Sequence, residues 1–165
     1  GKKKLGEKEE RGEIAVKKSS PSVFDSYLNN KELAEKNTSK NWFFTGDIAR
    51  KEDNGNLIIE GRTANMIKRK KGIIIPEKAE KFLRFLENIR NAVIVDPNEK
   101  EDRLVCFLNA SQRIDRKKLD SILASEFPDE YIPDRFILTD KLPEKHIPGI
   151  DRDKFRELYI DKHKP

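Results

Sequence analysis

The stretch Trp42–Glu80, WFFTGDIARKEDNGNLIIEGRTANMIKRKKGIIIPEKAE, decides how the rest of the sequence is interpreted. It contains two glycine segments with polar side chains, Thr45-Gly46-Asp47 and Gly61-Arg62, which we predict to be turns. Between them, Asn54-Gly55 predicts a hairpin, because this pair supplies the positive φ angles of a tight primed turn. A strongly basic hairpin follows, and then a helix opened by Pro76, whose fixed φ suits the first helical position.

The two sides of this stretch differ in pattern. Upstream, Gly12–Lys17 alternates like a half-buried strand, so residues 1–62 are predicted to be mostly strands of an incomplete larger domain. Downstream, the order hairpin–helix–strand–strand–helix–strand–helix predicts a small C-terminal α+β domain, residues 63–165, with a mixed sheet and helices packed on it. The chain starts without Met, and we expect it to be a fragment of a longer protein.

Helical periodicity and end signals locate the elements of the second part. Asp115 is predicted to cap a helix that Pro128 stops, and a terminal helix is expected from about Asp151. The expected inward residues of the helix at Pro76 are Ala79, Phe82, Leu83, Leu86 and Ile89; those of the terminal helix are Phe155, Leu158 and Tyr159. Trp42 and Phe43 are expected to lie in the core.

Composition excludes several classes of protein. The 35 basic and 30 acidic residues are mostly intermixed, which is typical of solvated faces rather than of a nucleic-acid footprint. The single cysteine, Cys106, lies in an apolar run and is expected to be a buried structural thiol. We find no membrane span and no signal peptide in the sequence, and we expect a cytoplasmic protein.

Taken alone, the motifs leave their chemistry open. Asp47 could accept two hydrogen bonds from a ribose diol, or it could bond its own backbone in a turn. Arg62 could donate to a ribose or phosphate oxygen, or form a surface ion pair. The run Lys68–Lys71 could attract phosphate, or be a solvated turn split between two faces. His146 and His163 lack ligand-spaced partners, so no metal site is predicted.

The order of the motifs resembles the C-terminal part of the adenylate-forming enzymes, which include acyl- and aryl-CoA synthetases, peptide-synthetase adenylation domains and luciferases. Almost the whole chain takes part in this resemblance. The residues that carry it are Gly12-Glu13-Ile14-Ala15-Val16, Ser26-Tyr27-Leu28-Asn29-Asn30, Trp42-Phe43-Phe44-Thr45-Gly46-Asp47, Gly61-Arg62-Thr63-Ala64-Asn65-Met66-Ile67-Lys68, and Pro76 with Glu80.

The resemblance implies roles for particular residues. Asp47 and Arg62 would bind the ribose of ATP or AMP, and Ala64 would be the hinge for domain alternation. Lys68 would reach the active site in the thiol-transfer state. The implied reaction joins a fatty or other carboxylic acid to ATP with Mg²⁺, and then passes the acyl group to CoA or to the phosphopantetheine of an acyl carrier protein.

The sequence also departs from the family pattern. The family's Gly-Lys-x-Asp-Arg segment corresponds to Pro148-Gly149-Ile150-Asp151-Arg152, so Gly149 stands where the adenylation lysine is expected. Lys145, four residues upstream, is a weak candidate substitute. Ala64 replaces the usual hinge aspartate, and Lys71 falls where the family commonly has glycine.

The sequence leaves three functions to consider. The first is a portion of an acid–thiol ligase that is inactive without the segment upstream. The second is a degenerate homologue that serves as a nucleotide-binding or regulatory module. The third, nucleic-acid binding through Lys68–Lys71, is disfavoured because no aromatic residues interleave with the charges.

Overall fold

A computed structural model describes residues 11–20, 38–70, 72–98, 101–112, 114–140 and 150–162. These residues form nine β-strands and three α-helices, which confirms the predicted α+β class. They divide into two compact units, Gly1–Asn65 and Met66–Pro165. The assignment of residues 1–62 and 63–165 to a larger domain and a C-terminal mobile domain stays a prediction.

The first unit is an antiparallel sheet. Its described strands are β1 (Arg11–Lys17), β2 (Thr38–Ser39), β3 (Trp42–Lys51) and β4 (Leu57–Arg62), and β3 pairs with each of the others. The predicted half-buried strand at Gly12–Lys17 is confirmed as part of β1.

The β3–β4 connection confirms the predicted hairpin but not its turn type. The amide of Gly55 donates to the Glu52 carbonyl at 2.9 Å, and the Glu52 amide donates to the Asn56 carbonyl at 2.8 Å. Gly55 has a φ of +86°, whereas Asn54 is not among the residues with positive φ. Primed turns need positive φ at the first central residue, which would be Asn54, so the connection is instead a three-residue loop closed by a left-handed glycine.

The first unit has a thin core among its described residues. Phe43, Ile48 and Ala49 are its buried hydrophobic residues. The prediction that Trp42 lies in the core is wrong, because this residue is 47% exposed. Successive strand residues face opposite sides of a sheet, so Phe43 and Trp42 cannot both face the same core.

The second unit contains a hairpin, a mixed sheet and the helices. Strands β7 and β8 are antiparallel, and β9 runs parallel to β8, so the described strands β7–β8–β9 form the predicted mixed sheet. In chain order the elements are β5 (Ile67–Arg69), β6 (Gly72–Ile74), α1 (Pro76–Arg84), β7 (Ile89–Val95), β8 (Val105–Ala110), α2 (Arg116–Glu126), β9 (Arg135–Leu138) and α3 (Arg152–Lys162).

Both faces of this mixed sheet are covered, as the alternation along β7 requires. Ala92 and Ile94 belong to a core cluster that includes residues of α1 and α2. Val93 and Val95 belong to a second cluster that includes Phe155 and Tyr159 of α3. Cys106 of β8 is buried, which confirms the structural-thiol prediction, and burial raises the pKa of its thiol.

The predicted first residues of the helices agree with the structure better than their predicted buried faces do. Asp115 caps α2, because its carboxylate accepts a hydrogen bond from the Lys117 amide at 2.9 Å. The proposed face of α1 is too long: the helix ends at Arg84, and Ile89 is the first residue of β7. In α3, Phe155 and Tyr159 are buried as predicted, but Leu158 is 40% exposed.

Candidate functional site

Asp47 and Arg62 lie directly opposite each other on β3 and β4. The Nε atom of Arg62 is 3.1 Å from Oδ1 of Asp47. The Asp47 side chain is 26% exposed and that of Arg62 is 67% exposed, so both remain accessible from solvent. The two residues singled out in the sequence are therefore neighbours, and they form an ion pair on the surface of the first unit.

The segment Thr45-Gly46-Asp47 is a bulge within β3, not the predicted turn. The β1–β3 register shifts between Glu13 and Ala15, so three residues of β3 stand opposite Ile14. Gly46 adopts a φ of +79°, which glycine reaches without steric cost. Bulges redirect side chains and interrupt regular pairing, and this one lies immediately beside the Asp47–Arg62 pair.

Hydroxyl groups fix the bulge. Thr45 Oγ1 donates to the Ile14 carbonyl at 3.1 Å and accepts from the Asp47 amide at 3.1 Å. Thr63 Oγ1 donates to the Gly46 carbonyl at 3.3 Å, and the Gly46 amide donates to the Glu13 carboxylate at 2.9 Å. The backbone around Asp47 is thus held by side chains on three segments, which limits the directions its carboxylate can take.

Gly61-Arg62 also lies within a strand, at the end of β4, and is not a turn. A short 3-10 helix, Thr63–Asn65, follows directly, and Ala64 is its exposed central residue. Ala64 thus lies at the connection between the two compact units. Its role as a hinge stays a prediction.

Lys68 belongs to the second unit, in β5, where it stands opposite Ile73. Lys68 and Lys70 are exposed, whereas the Arg69 side chain between them is only 13% exposed. The described part of the basic run, residues 68–70, is therefore split between two faces of the hairpin, as strand alternation predicts. With Met66, Ile67, Asp96 and Arg156, Lys68 lines an open pocket of about 260 Å³.

Sequence reasoning missed a buried ion pair between Glu80 of α1 and Arg152 of α3. The two guanidinium Nη atoms of Arg152 donate to the two carboxylate oxygens of Glu80, at 2.6 and 2.8 Å. Oε1 of Glu80 also accepts from the Ile94 amide at 2.7 Å, and Arg152 donates to the Ile94 carbonyl at 2.8 Å. The signal was present: an acidic residue on the apolar face of a helix requires a buried partner.

Several predicted residues fall outside the described part of the chain. These are Lys145 and Gly149 near the C-terminus, Lys71 on the basic hairpin, and the segment Ser26–Asn30. Among the residues that the structure describes, no group of three or more His, Cys, Asp or Glu side chains could hold a metal ion. Within the same residues, no helix is long and apolar enough to cross a bilayer.

Comparison with known proteins identifies relatives of the chain, although no protein-family model matches it. It is 30% identical over 150 residues to 2-succinylbenzoate–CoA ligase of Listeria monocytogenes, and 28% identical over 155 residues to 4-chlorobenzoate–CoA ligase of an Arthrobacter species. It is also 30% identical over 141 residues to tyrocidine synthase 3 of Brevibacillus parabrevis. Its homologues are adenylate-forming enzymes.

The alignments cover most of this chain and a minor part of each relative. They span 90% of the chain and 32% of the Listeria ligase, 92% and 30% for the Arthrobacter ligase, and 80% and 2% for tyrocidine synthase 3. The chain thus spans about a third of the length of the two ligases.

Solved structures of the family share the fold. The amide bond synthetase McbA from Marinactinospora thermotolerans gives a TM-score of 0.80 at 20% identity, covering 91% of this chain and 31% of that one. O-succinylbenzoate coenzyme A synthetase (MenE) from Bacillus subtilis, in complex with AMP, gives 0.79 at 24% identity, covering 88% and 30%. These identities are low, and the two structures support the fold alone.

Proposed function

We propose that this chain is a C-terminal portion of an ATP-dependent acid–thiol ligase, which activates a carboxylic acid as acyl-AMP and transfers it to CoA or a carrier thiol. The observation that carries the proposal is the cross-strand pair of Asp47 and Arg62, 3.1 Å apart beside a bulge. A carboxylate and a guanidinium side by side offer an acceptor and several donors to a vicinal diol.

In this proposal Asp47 accepts hydrogen bonds from the ribose hydroxyls, and Arg62 donates to the same nucleotide. Hydrogen bonds to charged groups contribute about 1.5–3 kcal/mol each. Thr45 and Thr63 act indirectly, because they hold the backbone on which Asp47 is placed. Lys68, exposed on the second unit, is the residue we propose for the thiol-transfer step.

Mg²⁺ would supply neutralisation of phosphate charge in such a reaction. The described residues offer no cluster of ligands for it, so we assign none of them to the ion. Among the relatives, the ligase names specify 2-succinylbenzoate and 4-chlorobenzoate. We therefore include aromatic acids beside fatty acids as candidate substrates. A cytoplasmic location belongs to the same proposal, because a single buried thiol suits a reducing compartment.

The test is ATP–pyrophosphate exchange by the longest natural chain containing these residues, with a panel of aromatic and fatty acids. We expect Asp47→Asn to raise the KM for ATP about tenfold or more, since it weakens charge-assisted bonds to the ribose. Asp53→Asn is the matched control, because Asp53 is an exposed carboxylate at the tip of the same hairpin.

Two results would contradict the proposal. One is the absence of exchange with every acid while the protein remains folded. The other is an equal effect of the Asp47 and Asp53 substitutions on the KM for ATP. The folded state can be checked independently, because Asp47→Asn breaks an exposed ion pair and should change the free energy of unfolding by less than about 1 kcal/mol.

A second candidate is a degenerate homologue that binds a nucleotide as a regulatory module. The observation that favours it is Gly149, which stands where the resemblance places the adenylation lysine. Gly149→Lys separates the two candidates. A large gain in exchange would mark the natural protein as impaired, whereas no gain beside robust natural activity would support the ligase.

A further inference from the structure

The basic hairpin β5–β6 cannot be stable by itself. Each strand is three residues long, and an isolated two-stranded hairpin is at best marginally stable in water. Ile67 and Ile74, which stand opposite each other, are buried in the core of the second unit. On the other face, Lys68 is exposed and its partner Ile73 is 57% exposed. The hairpin therefore has one anchored face and one open face.

Arg69 is the charged residue on the anchored face. Its Nε donates to Oδ1 of Asp102 at 3.1 Å, and its Nη2 donates to the Asp102 carbonyl at 3.0 Å and to Oδ2 of Asp134 at 3.4 Å. Its Nη1 donates to the Glu130 carbonyl at 3.4 Å. All three nitrogens of the guanidinium are thus engaged, and the side chain is 13% exposed.

The acceptors of Arg69 are themselves fixed. Oδ2 of Asp134 accepts from the Leu104 amide at 2.6 Å, at the entry to β8. Oδ1 of Asp102 accepts from the Lys70 amide at 3.2 Å, so one carboxylate holds both the Arg69 side chain and the backbone of the next residue. Asp102 and Asp134 together form the acceptor site for the Arg69 side chain, and we name this site the arginine clamp.

The clamp determines which side chains the hairpin presents. Side chains alternate along a strand, so a shift of one residue would turn Lys68 toward the core and Arg69 toward solvent. We propose that Arg69, held by Asp102 and Asp134, is a positioning residue that fixes the hairpin register and keeps Lys68 on the open face. The functional part of this inference rests on the proposed role of Lys68 in thiol transfer.

The structural part can be tested on the 165-residue chain by amide hydrogen exchange. Arg69→Met keeps an apolar stem but removes the charged donors. We expect it to speed exchange about tenfold or more at the Lys70 amide, which donates to Asp102, and at the amides that pair β5 with β6. Exchange at Val93 and Val95 should not change. Arg116→Met is the matched control, because Arg116 donates to the Asp134 carbonyl at 2.9 Å but does not touch the hairpin.

The functional part is tested in the longest natural chain, with the two half-reactions measured separately. Arg69→Met should slow thioester formation from supplied acyl-AMP about tenfold, and leave ATP–pyrophosphate exchange unchanged. In a Lys68→Ala background, the Arg69 substitution should add little, because the side chain it positions is already absent. If Arg69 contributed only to stability, the effects of the Arg69 and Lys68 substitutions on thioester formation would instead be additive.

The possible outcomes are distinct. The proposal about the arginine clamp is overturned if Arg69→Met leaves amide hydrogen exchange in the hairpin unchanged. It is also overturned if the effects of Arg69→Met and Lys68→Ala on thioester formation are fully additive, or if Arg69→Met slows both half-reactions equally. If the natural protein performs neither half-reaction, the proposed function fails. The amide exchange result then decides by itself whether Arg69 fixes the hairpin.

Discussion

At the scale of single residues, Asp102 shows how one side chain can hold a strained backbone. Its φ is +49°, a left-handed value that aspartate tolerates better than most residues. Loss of solvent around the carboxylate works to raise the pKa of Asp102. The Lys70 amide and the Arg69 guanidinium outweigh this effect, and the pKa of Asp102 is lowered from its usual value of 3.8.

The sign of this shift predicts a pH dependence. A carboxylate with a lowered folded-state pKa stabilises the fold above its unfolded pKa, and this contribution is lost as the pH falls through the folded-state value. We therefore expect the difference in unfolding free energy between the natural protein and Asp102→Asn to be constant from pH 7 to pH 5 and to shrink below about pH 4. Urea unfolding at several pH values measures this difference.

A difference that stays constant down to about pH 2 would contradict this assignment. Other charged groups lie near Asp102, among them Asp134, Glu101 and Arg103, and they are present in both proteins. Subtracting the two profiles removes the part of their contribution that is the same in both proteins.

The sequence predicted some residue contacts and not others. Asp47 and Arg62 could be paired in advance, because a hairpin between them places their strands side by side. The acceptors of Arg69 could not, since Asp102 and Asp134 lie 33 and 65 residues further along the chain. No local sequence pattern indicates a contact between residues so far apart in the chain. Strand alternation nevertheless indicated that Arg69 would face away from Lys68.

At the scale of elements, the Glu80–Arg152 pair joins α1, β7 and α3. Glu80 is 1% exposed and Arg152 is 8% exposed. A buried ion pair contributes little net stability compared with apolar residues, but the loss of one partner leaves an uncompensated buried charge. The pair therefore fixes how the terminal helix packs more than it adds to overall stability.

We expect Arg152→Met to lower the free energy of unfolding by about 3–5 kcal/mol, because the Glu80 carboxylate is then buried without the guanidinium group that balances its charge. Arg84→Met is the matched control on α1, where the side chain is exposed, and should cost less than about 0.5 kcal/mol. Chemical denaturation measures both. The double variant Glu80→Leu with Arg152→Met should cost less than the sum of the two single variants, and strict additivity would argue against the pair.

Helix starts were easier to predict than helix ends. Pro76 and Asp115 act through their own backbone and side-chain chemistry, and both begin helices as expected. The end of α1 has no proline or glycine signal. The helix ends at Arg84 with Phe85 as its C-cap, and the chain then enters β7 through Asn88, which takes a left-handed φ of +69°. The apolar periodicity of the sequence continues past the end of the helix to Ile89, so the predicted buried face of α1 was too long.

At the scale of the whole molecule, the two compact units differ in their cores. The described buried hydrophobic residues of the first unit are few, whereas the second unit has core clusters on both faces of its mixed sheet. Burial of apolar surface is the main favourable contribution to folding. The second unit should therefore be able to fold without the first.

This expectation can be tested with two fragments, residues 66–165 and residues 1–65. The longer fragment should unfold cooperatively on heating, monitored by circular dichroism. The shorter fragment should show no cooperative transition, because it buries too little apolar surface to offset the entropy of ordering the chain. A cooperative transition in residues 1–65, or none in residues 66–165, would contradict this view of the domain organisation.

The exposure of Trp42 belongs to this scale as well. Local composition alone predicts that an aromatic run such as Trp42-Phe43-Phe44 lies in the core. Which member faces the core depends on the pairing of β3 with its neighbours, and that pairing is a property of the assembled sheet. The same limit applies to Leu158 of α3, whose neighbours Phe155 and Tyr159 take the buried positions.

The burial of Cys106 has a practical consequence. The chain has no other cysteine, and this thiol is fully enclosed in the sheet with a raised pKa. Thiol-reactive dyes and spin labels attack the thiolate, so the natural protein should remain unlabelled in its native state. Cysteines introduced at exposed Asp53 and Lys81, one in each compact unit, would accept probes selectively. A change in the separation between the probes on addition of substrates would then test the predicted rotation about Ala64.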